Sequence, residues 1–329
     1  MHVALLAASD SWYARDLVRA AGTDYRVTPL RFSQLSARVG IDSCSVGTDG
    51  FAINNSDAVL VRTMPPGSLE QVVFRMDALA ALQRSGTLVI NPPKSMEAAV
   101  DKFLTSELLC RAGLKIPTTI CCQTSEEALD AFELLEQDVV VKPLFGGEGR
   151  GITRITDREL AVRAFRLLEQ MNSVIYLQPF IPHHGFDIRV FLIGSETDNS
   201  IVDTPEAYCI KRTNHDDWRS NVSRGATTEK MALSSELLQL AQRAANAIGA
   251  PIVGVDLLPA LDGSVYVLEV NAVPGWRALA KTVDVDIARR VLDYAARQVA
   301  EQKSQRPAVA PQEPSTSNPS PQATTLPRS

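Results

Sequence analysis

The chain has 329 residues and a formal net charge of −5, which suits two or three domains and argues against a general nucleic-acid-binding surface. No apolar run reaches the roughly 20 residues of a membrane span, and MHVALLAASDSW reads as a first strand rather than a signal peptide. Five cysteines, Cys44, Cys110, Cys121, Cys122 and Cys209, form no CxxC pair, so they read as reduced thiols in a cytoplasmic protein with neither a disulfide framework nor a zinc site.

The first ninety or so residues alternate strand and helix: VALLAA, a helix from Asp16 to Ala20, RVTPL, DAVLVR, a helix from Leu69 to Gln83, and LVINP. That alternation predicts a small parallel sheet with crossover helices over residues 1–94. AASDSW stands where a GxGxxG would follow the first strand, which excludes the usual dinucleotide fingerprint. After INPP, Ser95 can cap a helix from Met96 to Ala112 that Gly113 closes. Val100, Phe103 or Leu104, and Leu108 form its apolar stripe, with Lys102 on another face. Ser125 can cap a helix reaching Glu136, and Thr156 with Glu159 forms a capping box for one running to Met171. VVVKPLFGGEGRGITRI lies between these two helices as strand, glycine loop and strand, an antiparallel flap. The His183-His184 pair reads as a solvated turn. From residue 302 onward the chain is rich in Pro, Ser, Thr and Gln and should be disordered. That tail carries a charge of +2, which leaves about −7 on the body.

The last strands hold the most chemistry. Asp262-Gly263 separates GVDLLP from VYVLEVNAVPG, a signal for a two-residue hairpin. Pairing Leu261 with Ser264 sets Asp256 opposite Glu269, and Asn271 leaves the strand on the same side as Glu269. Facing carboxylates in an apolar hairpin need a cation, and an all-oxygen set suits magnesium beside nucleotide phosphates. Pro259 lacks a ladder donor and could shift this register by one residue. Upstream, Gly146, Gly147, Gly149 and Gly151 follow Lys142, a combination of backbone amides and positive charge suited to polyphosphate. The lysine precedes the glycines and a strand follows, so this is not a P-loop.

DKFLTSELLCRAGLKIPTT, VVVKPLFGGEGRGI, YLQPFIPHHGFDIRVFLIG, WRSNVSRGA and VGVDLL with VYVLEVNAVPG occur in that order. Together they resemble the RimK-type ATP-grasp ligases over roughly residues 95–295. The resemblance implies an α/β fold in which an N-terminal parallel domain (1–94) precedes two antiparallel subdomains, 95–181 and 182–301, that sandwich ATP. It implies Lys102, Lys142 and the four glycines on the phosphates, Gln178, Pro179, Phe180 and Ile181 as adenine hinge, and Asp187 near the ribose. Arg219, Ser220 and Asn221 match the family's RSN element, while Arg189 and Arg224 would add positive charge around a reacting carboxylate. Asp256, Glu269 and Asn271 would hold two magnesium or manganese ions. Two departures are Pro179, where an acidic residue is common, and Ala226, where a glycine is frequent.

The implied reaction activates a carboxylate as an acyl phosphate, which an amine then attacks. Lys211 and Arg212 are candidates to bind the carboxylates of L-glutamate, and Arg62 could meet the acceptor across the cleft; a basic strand end is the plain alternative for the first two. PGWRAL and RTMPPG are similar to the tetrahydromethanopterin-associated group, so a coenzyme or a protein C-terminus is the expected carboxylate acceptor. A kinase and a nucleotide-binding regulatory module remain alternatives, and self-association into a homo-oligomer stays open.

Overall fold

The computed structural model describes residues 1–305 apart from Ser9, Asp42, Asp49, Glu148 and residues 196–204. Most of the expected tail therefore lies outside the described residues, but its first four residues, 302–305, belong to the last helix.

The first unit runs β1 (His2–Leu6), α1 (Trp12–Ala21), β2 (Arg26–Leu30), β3 (Ser36–Val39), β4 (Cys44–Thr48), β5 (Phe51–Ala52), β6 (Ala58–Val61), α2 (Leu69–Arg84) and β7 (Leu88–Ile90). Its main sheet has the order β2-β1-β6-β7 and is parallel throughout. Alternate β1 side chains enter separate cores, Ala4 and Leu6 in one and Val3 and Leu5 in the other, as a strand buried on both faces requires. The small antiparallel sheet β3-β4-β5 was not foreseen. Its strands are short, and the burial of Val46 gives the sheet little apolar pattern beyond one anchored residue.

The segment expected to be one helix is two, α3 (Pro93–Val100) and α4 (Lys102–Arg111). Asp101 separates them, adopting an extended conformation and accepting from the backbone N–H groups of Phe103 and Leu104 as the cap of α4. The break rotates the expected stripe outward: Val100, Phe103 and Leu104 are exposed, while Thr105 and Leu109 are buried. Ser95 is not a cap; its hydroxyl donates to Gly249 O at 2.5 Å. Next come β8 (Ile120–Cys122), α5 (Ser125–Leu134), β9 (Val139–Lys142), β10 (Thr153–Ile155), α6 (Arg158–Gln170) and β11 (Ile175–Pro179). Caps fall one residue from expectation, on Thr124 for α5 and Asp157 for α6. The sheet β10-β9-β11-β8 is antiparallel, and β9 and β10 form the two arms of the flap.

The third unit holds β12 (Phe186–Ile193), β13 (Glu206–Thr213), β14 (Thr227–Lys230), α7 (Ser235–Ile248), β15 (Ile252–Pro259), β16 (Val265–Asn271), α8 (Arg277–Val283) and α9 (Ile287–Gln305). Its antiparallel sheet has the order β14-β13-β12-β15-β16. The turn is not the expected two-residue hairpin: Ala260 N–H donates to Ser264 O, Gly263 has φ +79°, and Pro259 pairs with Val265. This three-residue loop shifts the register by one. An irregularity between Asp256 and Leu257 shifts it back, and Asp256 does pair with Glu269. Leu268, the additional residue, lines the cleft next to Glu269, as in a β-bulge. Finally α9 returns to the first unit, where Val291, Leu292 and Ala295 share a core with Val3, Leu5 and Leu17.

Candidate active site

A cleft separates the flap sheet from the five-stranded sheet. Lys102, Lys142, Gly149, Gln178, Pro179, Phe180, Ile181, Asp187, Arg212, Arg219, Ser220, Asn221, Asp256 and Glu269 line it. Arg189, Lys211, Arg224, Asn271, Gly146, Gly147 and Gly151 lie outside that lining.

Lys102 opens α4 and reaches back to the flap, donating from Nζ to Gly146 O at 2.7 Å. Lys142 ends β9 and donates to Gln178 Oε1 at 2.7 Å. Burial lowers the pKa of both amines, that of Lys142 to about 8, while Glu269 opposes the fall. Gln178 lines the cleft but is buried, and its Nε2 donates to Thr119 Oγ1 and Tyr176 OH at 2.9 and 2.8 Å. These bonds fix the Gln178 amide beside Lys142. Phe180 N–H is committed to Asp138 O, and the Phe180 ring carries the Arg154 guanidinium at 3.5 Å from its centroid. His183 is half-buried and lines the cleft, not the solvated turn expected.

The cation that the facing carboxylates require is supplied by the protein. Arg189 forms a two-pronged pair with Asp256, both bonds 2.7 Å, and Arg212 does so with Asp187, both 2.6 Å. Arg212 also lies 2.9 Å from Asp256. Strand register explains the ladder, because Arg189 pairs across with Asp256 and Asp187 with Arg212. Burial, with the neighbouring Asp256 charge, pushes Asp187 up to about 6 despite its pair with Arg212. Burial also raises Asp256, but the Arg189 and Arg212 guanidinia outweigh it and hold that carboxyl down at about 2. Glu269 makes no hydrogen bond or ion pair among the described residues and faces the two lysines. Asn271 Oδ1 accepts from Val273 N–H at 2.8 Å. The donor chemistry of Asp256, Glu269 and Asn271 is all oxygen, so the set fits a hard divalent cation, with Glu269 its unengaged member.

Lys211 does not join Arg212. Neighbours in a strand leave on opposite faces, and Lys211 lies over the Phe186 ring and 3.9 Å from Glu229. Arg219 and Arg224 grip the flap, donating to Ile152 O at 2.7 Å and Gly149 O at 3.0 Å. Asn214, which sequence reasoning passed over, organises their loop: its amide donates to the carbonyls of Arg219 and Arg224 and accepts from the backbone of Asp216 and Asp217. Asn91 was missed as well. It bonds Ile252 and Ala272, at the start of β15 and just past β16, and so fixes the strands that carry the acids. An Asn after a buried strand is the one signal that could have drawn attention to Asn91. Arg62 is buried away from the cleft, with Nη2 donating to Pro274 O at 2.6 Å.

A family model described as a RimK-like ATP-grasp domain matches residues 99–295. The tetrahydromethanopterin:alpha-L-glutamate ligase of Methanosarcina acetivorans is 28% identical over 318 residues, covering 87% of this chain and 95% of that protein. The protein of the same name in Methanocaldococcus jannaschii is 35% identical over 227 residues, covering 67% and 74%. In fold, the chain is similar to the ATP-grasp ligase PsnB complexed with minimal precursor, Mg and ADP, with TM-score 0.69 at 19% identity over 90% of this chain and 97% of PsnB. Among the described residues no helix is long and apolar enough to cross a membrane. The flap, the paired lysines and the oxygen donors thus occur on a chain that belongs to the RimK-like ATP-grasp family and is an ATP-dependent ligase.

Proposed function

We propose that the chain joins a carboxylate to L-glutamate through an acyl phosphate, using ATP and Mg2+, and that the acceptor is a coenzyme of the tetrahydromethanopterin kind. The observation that carries this reading is the convergence in one cleft, beneath a glycine flap, of Lys102, Lys142 and Glu269, a carboxylate without a hydrogen bond or ion pair among the described residues. Lys102 and Lys142 would balance phosphate charge, and the flap held by Arg219 and Arg224 would exclude water. Asp256, Glu269 and Asn271 would hold magnesium, which when bound supplies charge neutralisation at the phosphate oxygens. Asp256 can serve a cation only by giving up part of its contact with Arg189 and Arg212. That release would free guanidinium N–H groups for an anionic substrate. The acceptor assignment rests on the names of the archaeal relatives.

Purified protein with ATP, Mg2+, glutamate and candidate acceptors should release ADP and add one or more glutamyl residues, read by a coupled ADP assay and mass spectrometry. ADP with a stable phosphate ester would identify a kinase instead, and no ADP with any acceptor would sink the ligase reading for these substrates.

A further inference from the structure

The first sheet reverses its direction of growth between β1 and β6: the chain leaves β1 for β2 on one side and returns to β6 on the other. Open parallel sheets bind ligands in the crevice that such a reversal leaves at the carboxyl ends of the strands. Here Trp12 and Tyr13, opening α1, and Arg62, directly after β6, stand at that crevice. Pro274, Gly275, Trp276 and Arg277 close it from the third unit. The Arg62 guanidinium lies 4.2 Å from the Trp276 ring centroid and 5.1 Å from that of Tyr13. Its Nε is buried without a partner, and no carboxylate among the described residues pairs with it. Arg212, also buried, sits between two acids. Ring faces return only part of the cost of desolvating a charge, so an idle buried donor beside a crevice calls for an anion.

The surroundings agree. Arg277 is exposed, packs over Trp12 at 5.5 Å, and has no ion pair among the described residues. The lip formed by residues 63–68 is pinned by Arg75, which donates to Pro65 O at 2.7 Å. The crevice adjoins the acid-bearing strands: a Cβ on Gly254 would lie 3.1 Å from Pro274 and 3.9 Å from Arg189 Nε. We propose that this crevice is an anion subsite for the acceptor, in which Arg62 takes a carboxylate or phosphate other than the reacting group while Trp12 and Arg277 cover a planar portion at the rim. The proposal rests on the ligase reading only for the word acceptor; the anion site stands on Arg62 itself.

Tryptophan fluorescence of the full chain tests it, with folate as a planar dicarboxylate probe, uncharged pterin as control, and inorganic phosphate as competitor. Folate should bind saturably, and Arg62→Met should weaken it roughly tenfold or more, the loss of one charge-assisted contact. Arg62→Lys, which keeps the charge without the fork, should fall between them and guards against a folding defect. Competition by phosphate that disappears in R62M would support the site and assign it to phosphate. MgADP affinity should be the same in all three proteins. Folate binding unchanged in both variants, pterin binding as tightly as folate, or no saturable binding of folate or phosphate to the wild type would overturn the proposal. Folate binding without MgADP binding would sink the nucleotide reading and leave the anion subsite standing.

Discussion

Replacing Lys142 with methionine should stabilise the nucleotide-free protein while abolishing its response to nucleotide. Burial lowers this amine from 10.5 to about 8, a difference worth about 3 kcal/mol against the folded state wherever the lysine is charged in both states. The unfolded chain holds the proton up to 10.5 and the folded chain releases it near 8. The penalty is therefore complete below the lower value and fades as pH rises toward the upper one. Methionine removes it but strands Gln178 Oε1, which accepts from Lys142 at 2.7 Å, at a cost of about 1–2 kcal/mol. A net gain of about 1–2 kcal/mol should raise the midpoint of a thermal melt by a few degrees at pH 7. At pH 10 the advantage should vanish. Cys121 and Cys209, pushed up to about 11 by burial, titrate in the same range, but they do so in both proteins and cancel in the difference. MgADP should raise the wild-type midpoint through mass action and leave K142M unmoved. A variant less stable than wild type at pH 7, or an advantage that grows with pH, would refute the reasoning.

Glu269→Gln should abolish ADP formation with the circular dichroism spectrum unchanged, since it removes the unengaged carboxylate of the oxygen set; an unaltered turnover rate would exclude Glu269 from metal binding. Arg212→Met should cost about 3–5 kcal/mol in urea unfolding, because Asp187 and Asp256 lose their shared partner. Adding Asp187→Asn should restore part of that loss in a double-mutant cycle, and strict additivity would show the pair to be uncoupled. Gly149→Ala should loosen the flap, because Gly149 has φ +70° and an added Cβ would collide with Asn221 Oδ1. Calorimetry should find MgADP binding weakened severalfold, and wild-type affinity would show that the flap loop accommodates the side chain.

The residue pattern carried the parallel first sheet, the flap and the pairing of Asp256 with Glu269, though this last came through two displacements that cancel. The three-residue turn moved the register one way and the bulge at Leu268 moved it back; neither device has a signature in an apolar run, since Leu268 reads as an ordinary strand residue. Asp101 was readable as a helix cap in hindsight, but an unbroken helical composition on both sides concealed it. The opposite faces of Lys211 and Arg212 follow from strand geometry alone and needed no structure. The partners of Asn91 and Asn214 were hidden because they are backbone groups, those of Asn91 distant in the chain, and backbone leaves no compositional trace. The arginine ladder was equally hidden, for it exists only once β12, β13 and β15 are set side by side.

The return of α9 to the first sheet bears on the order in which the polypeptide can mature. Val3, Leu5 and Leu17 leave the ribosome well before Val291, Leu292 and Ala295, the side chains that complete their core. The ion pair from Arg289 to Asp24 closes with the same helix, and that from Lys303 to Asp57 waits for its last turn. One face of the earliest sheet therefore stays only partly covered, by α1, until α9 has been made, and its final packing waits for that helix. A fragment ending before α9 would present the Val3, Leu5 and Leu17 side chains to chaperones.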